Sequence, residues 1–187
     1  MSEIKKELLR KLIHFSGLLY IPVYLSFGSQ FVILALMAII AILLPIEVLR
    51  LKKGYFRLVS REYEEKKLGA HIYFLFSMLL VTLIFPRDSC FVALTTSIVG
   101  DGFAGIVRKI TGKENLASSS MFFSSAIGIA LLELFQISAL IAIFCGTAIE
   151  RIRKVGRIYI QDNFSVPLAT AFADHSVKYI ISSSFKF

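Results

Sequence analysis

The chain has 187 residues, of which 56% are hydrophobic and 18% charged, and it carries a formal net charge of +8. Soluble domains have about 45–50% apolar and about 25% charged residues, so this composition argues against a soluble domain, a disordered chain, a collagen or a disulfide scaffold. No basic helix or aromatic RNA-binding motif accompanies the positive charge. We therefore expect anionic membrane lipid, and not nucleic acid, as its partner.

Apolar runs long enough to cross a bilayer recur along the chain. A hydrocarbon core about 30 Å thick requires about 20 helical residues, with a range of about 17–25. The sequence therefore predicts an all-α, polytopic integral membrane bundle that forms one domain over residues 1–187. About seven transmembrane helices are expected, with six as the alternative, over residues 12–27, 31–49, 69–85, 90–107, 121–135, 139–152 and 164–185.

Lysine and arginine predict the orientation of these spans. Of the 21 basic residues, 18 fall in four segments that share one side of a seven-span bundle, at residues 5–11, 50–67, 108–113 and 151–157. The positive-inside rule then places the N-terminus in the cytoplasm. The segment 50–67 also has helical apolar periodicity, which predicts an amphipathic helix in the membrane interface, with a solvated linker as the alternative.

Ionisable side chains inside the predicted spans are candidate functional residues, because each costs about 2.5–3.5 kcal/mol on insertion scales. His14 shares a helix face with Arg10 and is interpreted as a phosphate or carboxylate contact, or as an interfacial anchor. Glu47 is expected to pair with Arg50, and a role as metal ligand or base is the alternative.

The densest signal is an acid between glycines in the fourth span. Asp101 is flanked by Gly100 and Gly102, which would allow a phosphate or a metal-bound ligand to approach the backbone closely. Arg108 and Lys113 follow. A small-residue helix-packing face explains the glycines but not the acid. The segment lacks the P-loop pattern.

The last two spans supply further polar residues. Glu150 ends the sixth span and is either a ligand or part of an ion pair. Asp162 and Asn163 open the seventh span, where they could cap the helix or lie beside Mg²⁺ and phosphates. Asp174 and Lys178 are four residues apart in that span, which predicts an ion pair inside the membrane.

Most of these side chains fall near the predicted cytoplasmic ends of spans, where nucleotide and Mg²⁺ are available. Carboxylates that hold Mg²⁺, with lysine and arginine around phosphates, are the groups that phosphoryl transfer requires. A lipid with its head at that interface would be the acceptor. The converging residues are His14, Glu47, Asp101, Glu150, Asp162 and Asn163.

In these motifs the chain resembles the CTP-dependent polyprenol kinases, a family that includes dolichol kinase, phytol kinase and a yeast-type diacylglycerol kinase. The matching segments, in chain order, are Arg10-Lys11-Leu-Ile-His14, Gly69-Ala70-His71-Ile-Tyr73-Phe74, Gly100-Asp101-Gly102-Phe-Ala104 with Gly112-Lys113, and Asp162-Asn163-Phe-Ser-Val-Pro167-Leu168. Their order and spacing cover most of the chain.

The resemblance implies a lipid kinase of the transferase class, with its active site facing the cytoplasm, CTP as phosphate donor and Mg²⁺ as cofactor. It implies catalytic roles for Asp101, His14 and Lys11, with Asp101 and Asp162 as metal ligands. The residues implied to bind nucleotide are Gly100, Gly102, Arg108, Lys113, Asp162 and Asn163. A polyprenol of the dolichol type, or a related isoprenoid alcohol, would accept the phosphate in lipid metabolism.

One segment departs from the family pattern. Ser119-Ser120-Met121-Phe122-Phe123 stands where the family has K-[ST]-x-E-G, so a lysine, an acid and a glycine are missing. This difference motivates the alternative of a catalytically weakened relative that binds lipid or nucleotide as a subunit. A lipid-phosphate cytidylyltransferase and a small transporter are further alternatives. The lipid acceptor and the oligomeric state are not specified by the sequence.

Overall fold

The computed structural model describes residues 14–53, 68–152, 154–155 and 158–184, and nearly all of this part of the chain is helical. A 3-10 turn at Gly17–Leu19 precedes α1 (Tyr20–Lys53), α2 (Ala70–Ile84), α3 (Arg87–Thr95), α4 (Asp101–Thr111), α5 (Glu114–Leu131), α6 (Ile137–Arg151) and α7 (Asp162–Ser184). The π-helical turn Thr96–Gly100 joins α3 to α4. Strands β1 (Lys154–Val155) and β2 (Ile158–Tyr159) pair antiparallel between α6 and α7. The all-helical prediction is confirmed for the described residues, apart from this short ladder.

Two helices among the described residues are long and apolar enough to cross a membrane, namely His14–Lys52 and Arg87–Thr111. The 15 residues of α2 form a shorter apolar helix. These helices agree with the prediction of a membrane protein. The seven predicted spans are not confirmed by helix length and composition.

The first two predicted spans form one helix with a break, whereas the sequence predicted a loop at residues 28–30. Inside α1, Gly28 has φ 80° and ψ 175°, which is outside the helical region. Glycine adopts positive φ without steric cost, whereas a residue with a Cβ does not. An added Cβ would meet no atom within 4 Å. The backbone conformation, and not packing, therefore requires glycine at this break.

A buried ion pair joins the end of α1 to the start of α2. Arg50, which the sequence placed in a basic cytoplasmic loop, is instead buried beside Glu47. Its Nε and Nη2 atoms each donate to one Glu47 carboxylate oxygen at 2.8 Å, and the Gly69 backbone N–H donates to the same carboxylate. The predicted Glu47–Arg50 pair is confirmed. The remainder of the predicted interfacial segment, residues 54–67, lies outside the described residues.

The helix α7 is central to the packing, since it lies along α2, α3 and α6. It runs antiparallel to α3: Ser89 at the start of α3 bonds to Asp174 late in α7, while Ser97 and Val166 line one cleft. The whole of α3 from Ser89 to Thr95 is buried. This register places the end of the α3–π-turn segment beside the start of α7.

The helices α6 and α7 approach each other closely at Gly146. A Cβ at Gly146 would collide with the Thr170 hydroxyl and would also crowd Thr96. Small residues at such a contact let two helix backbones come together inside a bundle. Because α6 is also antiparallel to α7, Glu150 at the end of α6 reaches the same cleft as Val166.

The Glu47–Arg50 pair provides a test of the fold. Truncating one member of a buried ion pair removes a charge partner from the interior and costs about 3–5 kcal/mol. We expect Glu47→Ala to lower the free energy of unfolding by about this amount, measured by denaturant unfolding in detergent micelles. The matched control is Asp88→Ala, because Asp88 forms an exposed pair with Arg87. An exposed pair contributes about 0–1 kcal/mol. Equal losses in the two variants would contradict the burial of the Glu47 pair.

Candidate functional site

Three separate segments bring acidic side chains to one cleft. Asp101 comes from the start of α4, Glu150 from the end of α6, and Asp162 with Asn163 from the start of α7. Ser97 from the π-turn and Val166 from α7 complete the lining. We call these six residues the acidic cleft. The predicted convergence of Asp101, Glu150, Asp162 and Asn163 is present in the structure.

The π-helical turn before Asp101 shapes one wall of the acidic cleft. The Ser97 hydroxyl donates to the Ala93 carbonyl at 2.8 Å, so it satisfies a backbone acceptor of the preceding turn. The Ile98 carbonyl accepts a hydrogen bond from His14 Nε2 at 3.0 Å. Isolated π-turns inside helices are frequent at functional sites. Here the turn exposes a backbone acceptor to His14 and leads directly into Asp101.

His14 lies beside Asp101 at the edge of the acidic cleft. The distance from His14 Nε2 to Asp101 Oδ2 is 3.7 Å, and both side chains are partly exposed. The same ring nitrogen donates to Ile98, so the imidazole is held at the wall of the acidic cleft. Arg10 and Lys11, the predicted basic neighbours of His14, lie outside the described residues.

Glu150 has a partner that the sequence did not indicate. Arg108 Nη2 donates to Glu150 Oε1 at 2.6 Å, and Arg108 Nε donates to Glu114 Oε2 at 2.9 Å. Glu150 is only 4% exposed, and the charges of Asp101 and Asp162 also act on it. The Arg108 guanidinium therefore bridges Glu150 of the acidic cleft and Glu114 at the start of α5.

Asp162 and Asn163 are arranged at the first turn of α7. The Asn163 backbone N–H and side-chain Nδ2 donate to Asp162 Oδ1 at 2.8 and 3.0 Å. A carboxylate at a helix N-terminus is stabilised by the unpaired N–H groups and the helix dipole. Both predicted roles, helix capping and lining of a ligand site, are compatible with this position.

The two glycines beside Asp101 contact protein. A Cβ on Gly100 would collide with Ser125 and crowd Met121 on α5, and a Cβ on Gly102 would collide with the Phe15 ring. These contacts match the alternative of a small-residue packing face. The predicted role of both glycines in nucleotide binding stays a prediction.

Other predicted residues lie away from the acidic cleft. Lys113 is exposed at the turn between α4 and α5, where its backbone N–H bonds to the Thr111 hydroxyl at 3.2 Å. Glu47 belongs to the buried pair between α1 and α2. Of the implied residues that the structure describes, Asp101, Asp162 and Asn163 line the cleft, and His14 and Arg108 contact its acids.

Two residues near the site were not anticipated. Ser97 lies four residues before Asp101, a helical spacing that could have identified it. Arg151, next to Glu150 in sequence, donates from Nε to Ser118 at 2.8 Å and from Nη2 to Asn115 at 2.6 Å. Both partners are neutral, so these two bonds orient the guanidinium without cancelling its charge. No local pattern in the sequence indicates this contact, which joins residues more than 30 positions apart.

The donor set of the acidic cleft fits Mg²⁺ bound together with phosphate. Mg²⁺ takes oxygen ligands and is usually held by one or two carboxylates plus waters and substrate phosphates. Asp101 and Asp162 are the carboxylates that could take this role, since Glu150 is engaged by Arg108. Within the described ranges, no three His, Cys, Asp or Glu side chains form a group that could hold a metal by themselves.

Comparison with known proteins gives one distant relative. The chain is 26% identical over 195 residues to an uncharacterized protein of Rickettsia prowazekii (strain Madrid E), RP860, and the match covers 92% of this chain and 95% of that protein. No protein-family model matches the sequence. No solved structure matches it either. The full-length similarity indicates that the whole chain, and not one part of it, corresponds to the relative.

Proposed function

We propose that this protein is a membrane lipid kinase that transfers phosphate from CTP to a polyprenol or a related isoprenoid alcohol, with Mg²⁺ as cofactor. The observation that carries the proposal is the acidic cleft, in which Asp101, Asp162 and Asn163 converge from segments about 60 residues apart. These residues belong to two of the four segments that carry the resemblance to the CTP-dependent polyprenol kinases.

The outer surface of the bundle supports a membrane location. Large apolar side chains that are 60% or more exposed occur on several helices, which is far more apolar surface than a soluble monomer shows. They include Phe27, Leu34, Ile42, Phe123, Ile127, Leu131, Phe144, Phe172 and Ile180. In the proposed seven-span topology these side chains face lipid, and the acidic cleft opens toward the cytoplasm.

The proposed reaction breaks the bond between the β–γ bridging oxygen and the γ-phosphorus of CTP and forms a bond from that phosphorus to the lipid oxygen. CDP leaves, and the hydroxyl proton passes to solvent in the open cleft. Bound Mg²⁺ would neutralise phosphate charge. Asp101 and Asp162 orient that assembly, and Asn163 keeps the Asp162 carboxylate in place through its two hydrogen bonds. Catalysis then rests on positioning and charge neutralisation.

Arg151 is a cation that lies next to the altered segment 119–123, through its hydrogen bond to Ser118. That segment lies on α5, where Met121 is fully buried against Gly100 and Phe123 is exposed. Ser118, just before it, holds Arg151. In the proposed enzyme Arg151 provides a cation beside the segment that lacks the family lysine. The missing acid favours the second candidate function, a lipid- or nucleotide-binding subunit. Glu114, the acid nearest to the altered segment in sequence, could replace it only if it were available, and it is already engaged by Arg108.

Phosphate transfer from γ-labelled CTP to a mixed lipid-alcohol extract tests the proposed kinase. We expect labelled lipid from the purified protein with Mg²⁺ and a loss of about a hundredfold or more in Asp101→Asn, since removal of one preorganised group at a reacting centre has effects of this size. Asp88→Asn is the matched control, because Asp88 pairs with Arg87 at the other end of α3. Absence of transfer by folded protein with CTP or ATP would contradict the kinase and favour the binding subunit.

Arg151→Gln separates nucleotide binding from chemistry. If Arg151 contacts the phosphates of CTP, the variant raises KM for CTP about tenfold with a smaller change in kcat, as expected for a charge-assisted contact. Arg151→Lys should restore part of the affinity, and Arg87→Gln serves as the control. An unchanged KM in Arg151→Gln would exclude this contact.

Cysteine labelling tests the proposed topology. In a chain with Cys90 and Cys145 replaced by serine, we introduce cysteine at Gln136 or at Lys109, which are both exposed. A membrane-impermeant maleimide applied to intact spheroplasts should label Gln136→Cys at once and Lys109→Cys only after permeabilisation, because Gln136 precedes α6 on the proposed outer side. Equal labelling of both positions in intact cells would contradict the topology.

A further inference from the structure

A proline interrupts the hydrogen bonding of α7 close to the acidic cleft. Pro167 lies inside this helix, in its second turn, and is buried. Proline has no backbone N–H, so it cannot donate to the carbonyl four residues earlier, and its ring crowds that carbonyl. The carbonyl concerned is that of Asn163. Asn163 therefore has a backbone acceptor whose usual α-helical donor is absent.

The Asn163 carbonyl lies at the border of the acidic cleft. In an α-helix the hydrogen bond from each carbonyl runs along the helix axis, so the oxygen lies on nearly the same side of the helix as its own Cα. Asn163 is partly exposed and lines the acidic cleft together with Asp162 and Val166. The oxygen therefore lies on the side of α7 that Asn163 presents to the cleft, between Asn163 and Pro167.

Neighbouring hydroxyl groups donate to other carbonyls of this turn. The Ser77 hydroxyl from α2 donates to the Phe164 carbonyl at 2.8 Å, and the Ser165 hydroxyl donates to the Gln161 carbonyl at 3.1 Å. Within the described part of the chain, no side chain donates to the Asn163 carbonyl. The oxygen that Pro167 leaves without its helical donor is thus not covered by a side chain.

A second irregular stretch of backbone forms the α3–α4 side of the acidic cleft. The π-helical turn Thr96–Gly100 leads directly into Asp101. Its Ile98 carbonyl accepts a hydrogen bond from His14 Nε2 at 3.0 Å. In membrane proteins, irregular backbone is tolerated where it is buried in protein or lines a polar cavity, and main-chain carbonyls at such breaks coordinate cations. His14 occupies the carbonyl of the π-turn, whereas the Asn163 carbonyl is available to a ligand.

A hard cation suits this carbonyl. Carbonyl, carboxylate and water oxygens are the ligands that Mg²⁺ and Ca²⁺ take. The acidic cleft offers the carboxylates of Asp101 and Asp162. In the part of the chain that the structure describes, no three His, Cys, Asp or Glu side chains could hold a metal by themselves. The Asn163 carbonyl adds a protein oxygen without requiring a further acidic side chain.

We propose that the Asn163 main-chain carbonyl is a ligand of the cation bound in the acidic cleft, beside the carboxylates of Asp101 and Asp162. Pro167 is then a positioning residue, because it prevents the helix from engaging this oxygen. Asn163 has two roles in this arrangement, since its side chain holds Asp162 and its backbone binds the cation. The inference rests on the cation of the proposed function, but it requires neither CTP nor the lipid acceptor.

Isotope labelling tests the contact directly, because the chain has only two asparagines, Asn115 and Asn163. The full-length protein is produced with asparagine that carries ¹³C in its main-chain carbonyl, and Mn²⁺ is added as a paramagnetic probe in place of Mg²⁺. We expect ¹³C coupling in the electron–nuclear double resonance spectrum of bound Mn²⁺, since the labelled carbon is bonded to the ligand oxygen.

Two labelled variants assign this coupling to one asparagine. Asn115→Gln should keep the coupling. Asn163→Gln should lose it even where Mn²⁺ still binds, because the glutamine carbonyl at this position is unlabelled. Bound Mn²⁺ without ¹³C coupling in the wild type, or absence of bound Mn²⁺, would overturn the proposal.

Pro167→Ala tests the positioning role. Alanine supplies an N–H and favours the helix, so the variant should fold, and the Asn163 carbonyl should turn toward the new helical donor. We expect the Kd for Mn²⁺ to rise about tenfold, as for loss of a group that orients a ligand, and the ¹³C coupling to weaken. Pro45→Ala is the matched control, because Pro45 lies inside α1, which contributes no residue to the acidic cleft. An unchanged Kd in Pro167→Ala would contradict this role.

The binding measurements are made without nucleotide or lipid substrate, so they are separate from the kinase assay. Coupling without phosphate transfer would support the carbonyl ligand and contradict the kinase. Phosphate transfer by a protein whose bound Mn²⁺ shows no coupling would overturn the carbonyl ligand and leave the kinase standing.

Discussion

The antiparallel packing of α7 between α3 and α6 determines which side chains meet at each end of the bundle. It fixes Asp162 beside Asp101 at one end of the bundle and Asp174 beside Ser89 toward the other. A shift of α7 by one residue would rotate its polar face by about 100° and separate both sets of partners. The close contact at Gly146 holds this register, because a bulkier residue there would push α6 away from α7.

Burial of charge follows a common rule across the bundle. Glu47 is paired with Arg50, Glu150 with Arg108 and Asp174 with Lys178, and all three carboxylates are 4% exposed or less. An unpaired charge in a low-dielectric interior is costly, so each of these carboxylates is paired with a cation. Asp101 differs, since its side chain is 31% exposed and its ionic neighbour is a histidine. The proposed catalytic carboxylate is thus the one left open to a ligand.

The sequence predicted those parts of the fold and site that depend on local spacing. The helical class, the start of α7 at Asp162 and the ion pairs Glu47–Arg50 and Asp174–Lys178 all follow from periodicity or from partners three or four residues apart. The partner of Glu150 was missed because Arg108 is distant in the chain. The break at Gly28 was predicted as a loop, since hydropathy marks where an apolar run weakens but not how the backbone turns. The number of spans depends on whether short helices that contain polar residues cross the bilayer, and composition alone does not determine this.

The break at Gly28 has a consequence for chirality. Its φ of 80° and ψ of 175° are the mirror image of an ordinary extended conformation for an L-residue, and the space around its missing Cβ is empty. The position therefore excludes L-residues because of their backbone preference, although there is room for a side chain. D-alanine could be incorporated there by chemical ligation, and it prefers the backbone region that Gly28 adopts. It would also reduce the number of conformations open to the unfolded chain, and so stiffen the joint between the two halves of α1. The same methyl group with natural stereochemistry would strain it.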